Sequence, residues 1–349
     1  MTDSGELLYL GCYTSEAGGR GEDIAVARRD PDTGELTLIG TVATTPAPSF
    51  LARHPTLPVL YAVHEVDAGL VSAWAIHPDG ALSALGQRST GGASPCHVAV
   101  SPAGDYLFVA NYGSGSVAAY PLDLAGVPAE RTELITHAGT GADPERQEGP
   151  HAHMVSPDPR GGPLLAIDLG TDSVYRYDLA VETGRLRPHG PPLRTRPGTG
   201  PRHLARHPDG RRLFLVGELD ATVLAYGYDD AGELVERGRV PASGRTGPVQ
   251  PSEVGVGPGG DHLYVANRGT GTITVFALDA DAPRQVAEVA AGGDWPRHFA
   301  IVGAHLYVAQ ERDDSVVRFA IDPGTGVPAP AGVPLAVPSP TCVLPVTVR

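Results

Sequence analysis

The sequence predicts an all-β fold, a seven-bladed β-propeller with four-stranded antiparallel blades. Three observations lead to this prediction: a short motif recurs seven times, strand patterns follow its copies, and the last copy lacks the strands that should come after it. A cyclic array of repeats can occupy 349 residues as one domain. We therefore expect residues 1–349 to form a single propeller.

The recurring motif is a proline followed, after six residues, by proline or glycine. Its copies lie 42 to 55 residues apart, which is about the size of one propeller blade. They begin at Pro48, Pro95, Pro150, Pro201, Pro251, Pro296 and Pro338. Each copy predicts the first strand of a blade, so the chain should have seven blades.

A second, apolar strand follows each of the first six copies after a turn of glycine, proline or aspartate. These second strands begin at Leu60, Leu107, Leu164, Leu213, Leu263 and Leu306. Third strands with an alternating pattern, such as SVAAYPL from Ser116, and outer strands, such as GELVERG from Gly232, complete each unit.

The seventh copy has no second strand after it, and the missing strand lies near the N-terminus as LYLGCY from Leu8. The sequence therefore predicts a last blade made from two distant segments. Residues 338–348 form its inner strand, and residues 7–40 form the other three. This pairing closes the ring and leaves no long exposed sheet edge.

Polar residues recur at the places where the blades should meet one mouth of the central channel. The start of the first strand and the end of the second lie at the same end of an antiparallel blade, and the first strand lines the channel. The starts of the first strands carry Cys96, His97, His151, His153, Arg202, His203, Ser252, Glu253, Arg297 and His298. The ends of the second strands carry His64, Glu65, Asn111, Tyr112, Asp168, Glu218, Asn267, Arg268, Gln310 and Glu311. A repeat needs only apolar and turn residues there, so this polar ring predicts the functional site.

Some members of this pattern also have a structural interpretation. His54 and His207 lie at the opposite turns and are predicted to be structural. Asn111 and Asn267 can cap strand ends through local hydrogen bonds to the backbone. For the three histidines that share one register, hydrogen bonding between blades and a direct role in function both stay open; they are His97, His203 and His298.

The chain is acidic, with 40 Asp and Glu residues against 26 basic ones and a formal net charge of −14. Such a surface disfavours nucleic acid and anionic membranes as partners, but it leaves room for a local arginine cluster that binds a small anion. The three cysteines form no metal or disulfide pattern. The sequence shows neither a signal-peptide pattern nor an apolar stretch of about 20 residues. We expect a cytoplasmic protein that is a monomer or a weak homo-oligomer.

A metal site is the least favoured interpretation of the polar ring. His151 and His153 lie two residues apart on a strand, so both face one side and suit zinc or another divalent ion. The neighbours that would complete the shell include Arg202 and Arg297, whose charges oppose a cation. We therefore expect no metal.

Several phrases of the sequence resemble the lactonase family of seven-bladed propellers. They include PCHVAVSP (95–102), LFVANYGSGSV (107–117), GPRHLARHPDG (200–210) and LYVANRGTGTI (263–273), and the resemblance covers essentially the whole chain. The family contains propeller-type 6-phosphogluconolactonases and fungal carboxy-muconate lactonising enzymes. The resemblance implies an active site of one His, two Arg and one Glu at one mouth of the channel. The matching residues are His151 or His153, Arg202, Glu218 and Arg268.

The resemblance implies hydrolysis of a sugar lactone, above all 6-phospho-glucono-1,5-lactone, a reaction of carbohydrate metabolism and the pentose phosphate pathway that needs no cofactor. Glu218, or a histidine held by Asp168, would act as general base. Arg202 and Arg268 would stabilise the oxyanion or bind the phosphate. Further substrate contacts are predicted for His97, Asp168, His203, Arg297 and His298.

Two departures from the family pattern, Gly217 and His64, stand where asparagine is expected and are predicted to alter substrate fit at most. Two other functions stay open. A lactonising isomerase of muconate-type dicarboxylates would use the same residue types. A non-enzymatic docking propeller is less favoured, because docking faces usually offer aromatic and aliphatic anchors.

Overall fold

Thirty β-strands form seven blades around a central channel in the computed structural model, which describes residues 6–347. This confirms the predicted seven-bladed propeller. One short 3₁₀ turn, Ser15–Ala17, is the helical element of that range. Among these residues, no helix has the length and apolar character needed to cross a membrane.

The strands are numbered along the chain, and blades 1 to 6 follow one another in sequence. The chain begins with β1 (Glu6–Cys12), β2 (Asp23–Arg29) and β3 (Leu36–Thr44). Blade 1 contains β4 (Pro48–Arg53), β5 (Val59–His64), β6 (Leu70–Ile76) and β7 (Leu82–Ser89). Blade 2 contains β8 (Pro95–Val100), β9 (Tyr106–Asn111), β10 (Ser116–Pro121) and β11 (Glu133–Thr136). Blade 3 contains β12 (Ala152–Ser156), β13 (Leu164–Asp168), β14 (Ser173–Ala180), β15 (Arg185–Pro188) and β16 (Leu193–Arg194).

The second half of the ring repeats this arrangement. Blade 4 contains β17 (Pro201–Arg206), β18 (Arg212–Gly217), β19 (Thr222–Tyr228) and β20 (Leu234–Pro241). Blade 5 contains β21 (Gln250–Val256), β22 (His262–Arg268), β23 (Thr272–Ala277) and β24 (Arg284–Ala290). Blade 6 contains β25 (Pro296–Val302), β26 (His305–Gln310), β27 (Ser315–Ile321), β28 (Pro328–Pro330) and β29 (Leu335–Ala336). The last strand is β30 (Pro340–Thr347).

Blade 7 closes the ring as predicted, because β30 pairs antiparallel with β1 and the blade runs β30-β1-β2-β3. Its inner strand begins at Pro340 rather than at residue 338, since the chain turns at Ser339, which has a φ of 43°. The outer strand continues to Thr44, four residues beyond the predicted end. Residues 1–5 and 348–349, including the predicted end of the inner strand, lie outside the described residues.

The core lies between neighbouring blades, because each blade packs one face on each neighbour. Second strands such as β5 and β9 are buried along their whole length, which explains their continuous apolar sequence. Outer strands such as β24 are mostly exposed. The core therefore consists of several apolar clusters, each lying between neighbouring blades. One of them contains Leu7 and Tyr9 of blade 7 and Leu60 of blade 1.

Tyrosine hydroxyl groups connect neighbouring blades on the face opposite the polar ring. Each donates a hydrogen bond of 2.7 to 2.9 Å to the backbone oxygen of a glycine in an outer turn of the next blade. Each of these glycines has a positive φ, between 71° and 92°, which the tight turn requires. The pairs are Tyr9 with Gly80, Tyr61 with Gly126, Tyr264 with Gly326, and Tyr307 with Gly34.

Two histidines connect blades in the same region. The Nε2 atoms of His54 and His207 lie 2.9 and 2.8 Å from the backbone oxygens of Gly104 and Gly260 in the next blade. This confirms the structural role predicted for both.

We expect Tyr307→Phe to lower the free energy of unfolding by about 1–3 kcal/mol, because the hydroxyl donates to Gly34 and also accepts from Arg29 Nε at 2.8 Å. Tyr61→Phe is the matched control, since its hydroxyl makes the single bond to Gly126, and it should cost about 1 kcal/mol. Urea denaturation measures both. Equal losses of stability in the two variants would show that the additional hydrogen bond between Arg29 and Tyr307 does not stabilise the fold.

Candidate functional site

The ends of the second strands divide into two sets that face different ways. In blades 1 to 6, the residue that pairs with the inner strand just before its register shift lies inside the blade. The next residue of the chain lies at the mouth, because successive strand residues point to opposite sides. The inward set is His64, Asn111, Asp168, Gly217, Asn267 and Gln310. The mouth set is Tyr13, Glu65, Tyr112, Leu169, Glu218, Arg268 and Glu311.

The inward set is structural. Asn111 donates to the Ser116 hydroxyl and Asn267 to the Thr274 hydroxyl, so both bond to side chains of the neighbouring strand rather than to the local backbone as predicted. His64 contacts the Ser72 hydroxyl inside blade 1 at 2.8 Å. At Gly217 a side chain would meet the Asp220 carboxylate, 2.3 Å from the position of a Cβ atom. The two departures from the family pattern, Gly217 and His64, therefore act on packing inside the blades, which corrects the expectation that they alter substrate fit.

Asp168 belongs to this inward set, which corrects its predicted contact with substrate. Its side chain is fully buried, and Oδ2 lies 2.6 Å from His137 Nδ1. Its Oδ1 accepts from the backbone N–H groups of His151 and Thr171. The histidine that Asp168 holds is thus His137, stacked on Tyr175 inside blade 3 with a ring distance of 3.7 Å. The sequence predicts that a histidine held by Asp168 acts as general base at the mouth. The histidine that Asp168 contacts lies inside the blade instead, so it does not provide this base.

The inner strands of all seven blades shift register near the mouth, so two successive residues of each strand meet the channel. We call the residues nearer the mouth the mouth ring and those that follow them the inner ring. The mouth ring is Ser49, Cys96, His153, Arg202, Ser252, Arg297 and Thr341. The inner ring is Phe50, His97, Met154, His203, Glu253, His298 and Cys342.

The inner-ring histidines contact neighbouring blades. His203 Nδ1 lies 2.8 Å and His298 Nε2 3.4 Å from Glu253 Oε2, and His97 packs on Phe50 with a ring distance of 4.2 Å. Burial lowers the pKa of His97 and His203 well below the ordinary value, and lowers that of His298 to about 4. These imidazoles are neutral at pH 7.

The space above these histidines is small. The cavity lined by both rings has a volume of about 10 Å³, about what one water molecule needs. The structure gives His97, His203 and His298 contacts between blades, in place of the substrate contacts predicted for them.

Glu218 is the centre of the mouth. Its buried carboxylate lies 3.0 Å from Arg202 Nε, 2.5 Å from Arg268 Nη2 and 2.7 Å from Arg146 Nη2. Burial alone would raise the pKa of Glu218, but the charges of Arg268, Arg202 and Arg146 outweigh it and hold that pKa far below the ordinary range. Burial and the charges of Arg268 and Arg297 lower the pKa of Arg202 to about 9, so Arg202 keeps its positive charge at pH 7.

Arg146 was missed by the sequence analysis. It lies in the long connection between β11 and β12, outside any repeated position. The available signal was the 55-residue interval between Pro95 and Pro150, the longest of the series, which left extra residues to be placed near the mouth.

A second polar cluster lies across the mouth on blades 6, 7 and 1. Arg297 donates to the Tyr13 hydroxyl and lies 3.5 Å from Glu311 Oε2, while Tyr13 donates to Glu65 at 3.0 Å. Arg297 therefore already has anionic and polar partners, and its predicted contact with substrate stays a prediction. Trp295 joins the two clusters, because the guanidinium carbon of Arg268 lies 5.5 Å from its ring centre.

His153 and His151 differ in their contacts. Ala152, not Pro150, aligns with the first residue of the other inner strands, so His153 shares the register of Arg202 and His151 precedes the strand. His151 stacks on Tyr112 and lies 3.0 Å from the Tyr112 backbone oxygen and 3.2 Å from Glu148. His153 Nδ1 is buried and has no hydrogen-bond partner among residues 6–347.

The electrostatic surroundings keep His153 neutral. Burial, reinforced by the charges of Arg202 and Arg297, lowers the pKa of His153 well below the ordinary value. In the described part of the chain, no group of three or more His, Cys, Asp and Glu side chains is arranged to hold a metal ion.

We expect Glu218→Gln to lower the free energy of unfolding by about 3–5 kcal/mol, because it leaves three guanidinium groups without a buried counter-charge. The control is Glu233→Gln, which removes an exposed ion pair with Arg176 and should cost less than about 1 kcal/mol. Guanidinium denaturation of both variants measures the difference.

The contribution of the Glu218 carboxylate to the free energy of unfolding depends on pH in a defined direction. Because the folded-state pKa of Glu218 is lowered, its stabilising contribution is complete above the ordinary carboxyl pKa and is lost only as the pH falls through the lowered value. The gap in stability between wild type and Glu218→Gln should thus stay constant from pH 7 to about pH 5. A gap that closes within that range would contradict the assignment.

Comparison with known proteins agrees with this arrangement. Residues 7–345 match the family model described as lactonase, 7-bladed beta-propeller. A 6-phosphogluconolactonase of Bacillus subtilis (strain 168) is 33% identical over 344 residues, with 96% of this chain and 97% of the relative covered. A 6-phosphogluconolactonase of Formosa agariphila is 26% identical, with 91% and 93% covered.

Among solved structures, the periplasmic gluconolactonase PpgL of Pseudomonas aeruginosa superposes with a TM-score of 0.92 at 31% identity, covering 99% of this chain and 100% of that one. The fold, the extent of the family match and the sequence similarity agree along nearly the whole chain. The chain therefore belongs to the lactonase family of seven-bladed β-propellers.

Proposed function

We propose that the protein hydrolyses 6-phospho-glucono-1,5-lactone to 6-phosphogluconate. Membership of the lactonase family makes it a lactone hydrolase, and relatives named 6-phosphogluconolactonase cover almost its whole length. The observation that carries the choice of substrate is the cluster of three arginines around Glu218. His153, whose Nδ1 atom has no hydrogen-bond partner among residues 6–347, lies beside it.

The charge of this cluster favours an anionic substrate. Three guanidinium groups and one carboxylate leave a formal charge of about +2 in a largely buried site. The whole chain carries −14, so the cluster around Glu218 is a local exception to the overall sign. A phosphorylated lactone would be attracted to the arginine cluster, whereas the acidic remainder of the surface would repel nucleic acid.

Two arginines can stabilise the oxyanion that forms at the lactone carbonyl. Arg202 Nη2 and Arg268 Nη1 make no hydrogen bond with any other residue of the range 6–347. Glu218 and backbone oxygens hold the rest of each guanidinium in place, so these groups need little reorganisation when charge develops. Such preorganised donors are worth about 10²–10³-fold in rate.

His153 is the general base in this proposal. Glu218 is a poor base, because its low pKa and its three arginine partners oppose protonation. The neutral His153 would take a proton from the attacking water as the water oxygen bonds to the carbonyl carbon. The bond from that carbon to the ring oxygen then breaks, and His153 returns its proton to this oxygen, which becomes a hydroxyl group. The new carboxylic acid loses its proton to solvent.

We also propose a cytoplasmic location. All three cysteines are free and buried in the structure. Burial raises the pKa of Cys12 and of Cys342 to about 12, so both stay as thiols at neutral pH. Unpaired thiols are usual in reducing compartments.

The direct test is the disappearance of freshly generated 6-phosphogluconolactone with and without the protein. Spontaneous hydrolysis supplies the baseline. We expect clear acceleration by the wild type, a loss of about 10²–10⁴-fold in His153→Ala, and no change in His189→Ala, an exposed histidine paired with Asp178. Absence of acceleration by folded wild-type protein would refute the proposed substrate.

The pH profile tests the base. The low pKa of His153 in the free protein predicts that the acid limb of kcat/KM lies below the ordinary histidine range, since His153 acts in its neutral form. A bound phosphate offsets the arginine charges and raises the pKa of His153 in the complex. The acid limb of kcat should therefore lie at higher pH than that of kcat/KM. Identical limbs would contradict this role.

A further inference from the structure

We propose that Arg146 selects anionic over neutral lactones by moving from Glu218 to the anionic group of the substrate. This inference rests on the proposed function and adds a specificity-determining residue to it. The substrate class it indicates is a lactone with a phosphate or carboxylate group away from the ring carbonyl.

Exposure separates Arg146 from the other two arginines of the cluster. The side chains of Arg202 and Arg268 are 3% and 7% exposed, whereas that of Arg146 is 36% exposed. Arg202 also donates to the backbone oxygen of Ser252, and Arg268 to that of Pro251. Arg146 is therefore the partner of Glu218 that can reach a molecule arriving from solvent.

The backbone around Arg146 is held firmly, so the movement concerns the side chain. The N–H groups of Glu145 and Arg146 are bonded to Asp143 Oδ1 at 2.9 and 3.1 Å. The neighbouring Gln147 is fully buried and donates to the backbone oxygen of Leu169 at 2.8 Å. Apart from Glu218, Arg146 has a long contact of 3.4 Å with the Tyr112 hydroxyl. Because the backbone is fixed and the side chain is long, Arg146 can change its partner by rotating its side chain alone.

The movement of Arg146 from Glu218 to the substrate is favourable for an anionic substrate but not for a neutral one. When Arg146 leaves, Glu218 keeps Arg202 and Arg268 on Oε2, so the carboxylate stays paired and only Oε1 loses a partner. A phosphate replaces that partner for Arg146 with a charge-assisted, bidentate contact. A neutral lactone offers no such replacement, so with it Arg146 stays on Glu218. Arg146 thus contributes to binding only when the substrate is anionic.

The test compares two lactones in three variants. For 6-phosphogluconolactone, Arg146→Ala should raise KM about 10- to 100-fold with a much smaller effect on kcat, and Arg146→Lys should recover part of the loss. For glucono-1,5-lactone, Arg146→Ala should raise KM by a much smaller factor than for 6-phosphogluconolactone, because a neutral substrate leaves Arg146 on Glu218. Arg160→Ala is the matched control, because it removes a half-exposed arginine from the buried Asp158 at the opposite face and should change neither substrate.

A measurement without turnover separates this inference from the proposed function. Inorganic phosphate should raise the Tm of wild type and Arg160→Ala, and should raise that of Arg146→Ala much less. Equal loss on both lactones, or equal stabilisation of all variants by phosphate, would overturn the role of Arg146 and leave the hydrolase assignment intact. If wild type hydrolyses neither lactone, the proposed function fails, and the phosphate response alone decides the role of Arg146.

Discussion

Hydrogen bonding between β30 and β1 is the contact on which the rest of the molecule depends, because the mouth needs all seven blades at once. This pairing brings Tyr13, which follows β1, beside Arg297 of blade 6 and Glu65 of blade 1. It also places Thr341 of β30 in the mouth ring. An open ring would lose one polar cluster and would expose a strand edge as well. Fold and site are therefore stabilised by the same closure.

The second constraint is the charge of the mouth. A channel with several buried guanidinium groups is costly unless an acid lies among them, because desolvation of unpaired charges is expensive. Glu218 supplies that acid on one side, and Glu65 and Glu311 lie near Arg297 on the other. Glu218 is thus better suited to holding arginines than to moving protons. Its lowered pKa makes Glu218 a weak base, while its contacts place it at the centre of the arginines.

The fold was predictable because the same pattern recurs around the ring and its missing piece is found at the other end of the sequence. Arg202 and Glu218 were predictable because they occupy repeated positions, where polar residues need a reason. The prediction for Asp168 was wrong because successive residues of a strand face opposite sides, so an error of one residue moves a side chain from the mouth to the inside of the blade. The choice between His151 and His153 could not be made from the sequence, because Pro150 suggests that the strand begins there, whereas Ala152 is the residue that pairs with Asp168. Arg146 lies in a connection without counterparts in other blades, so no repeat could locate it.

In the proposed mechanism, binding and catalysis at this mouth depend on the same electrostatic field. The arginine charges that would attract an anionic lactone also keep the pKa of His153 low, which makes His153 a weak base in the free protein. A bound anion cancels part of that field and makes the same imidazole a stronger base at the moment a lactone is present. A neutral lactone leaves the field unchanged, so it would meet a weaker base as well as a weaker attraction. In the proposed mechanism, the strength of the base would therefore depend on the charge of the bound molecule, and discrimination between lactones would arise in the chemical step as well as in binding.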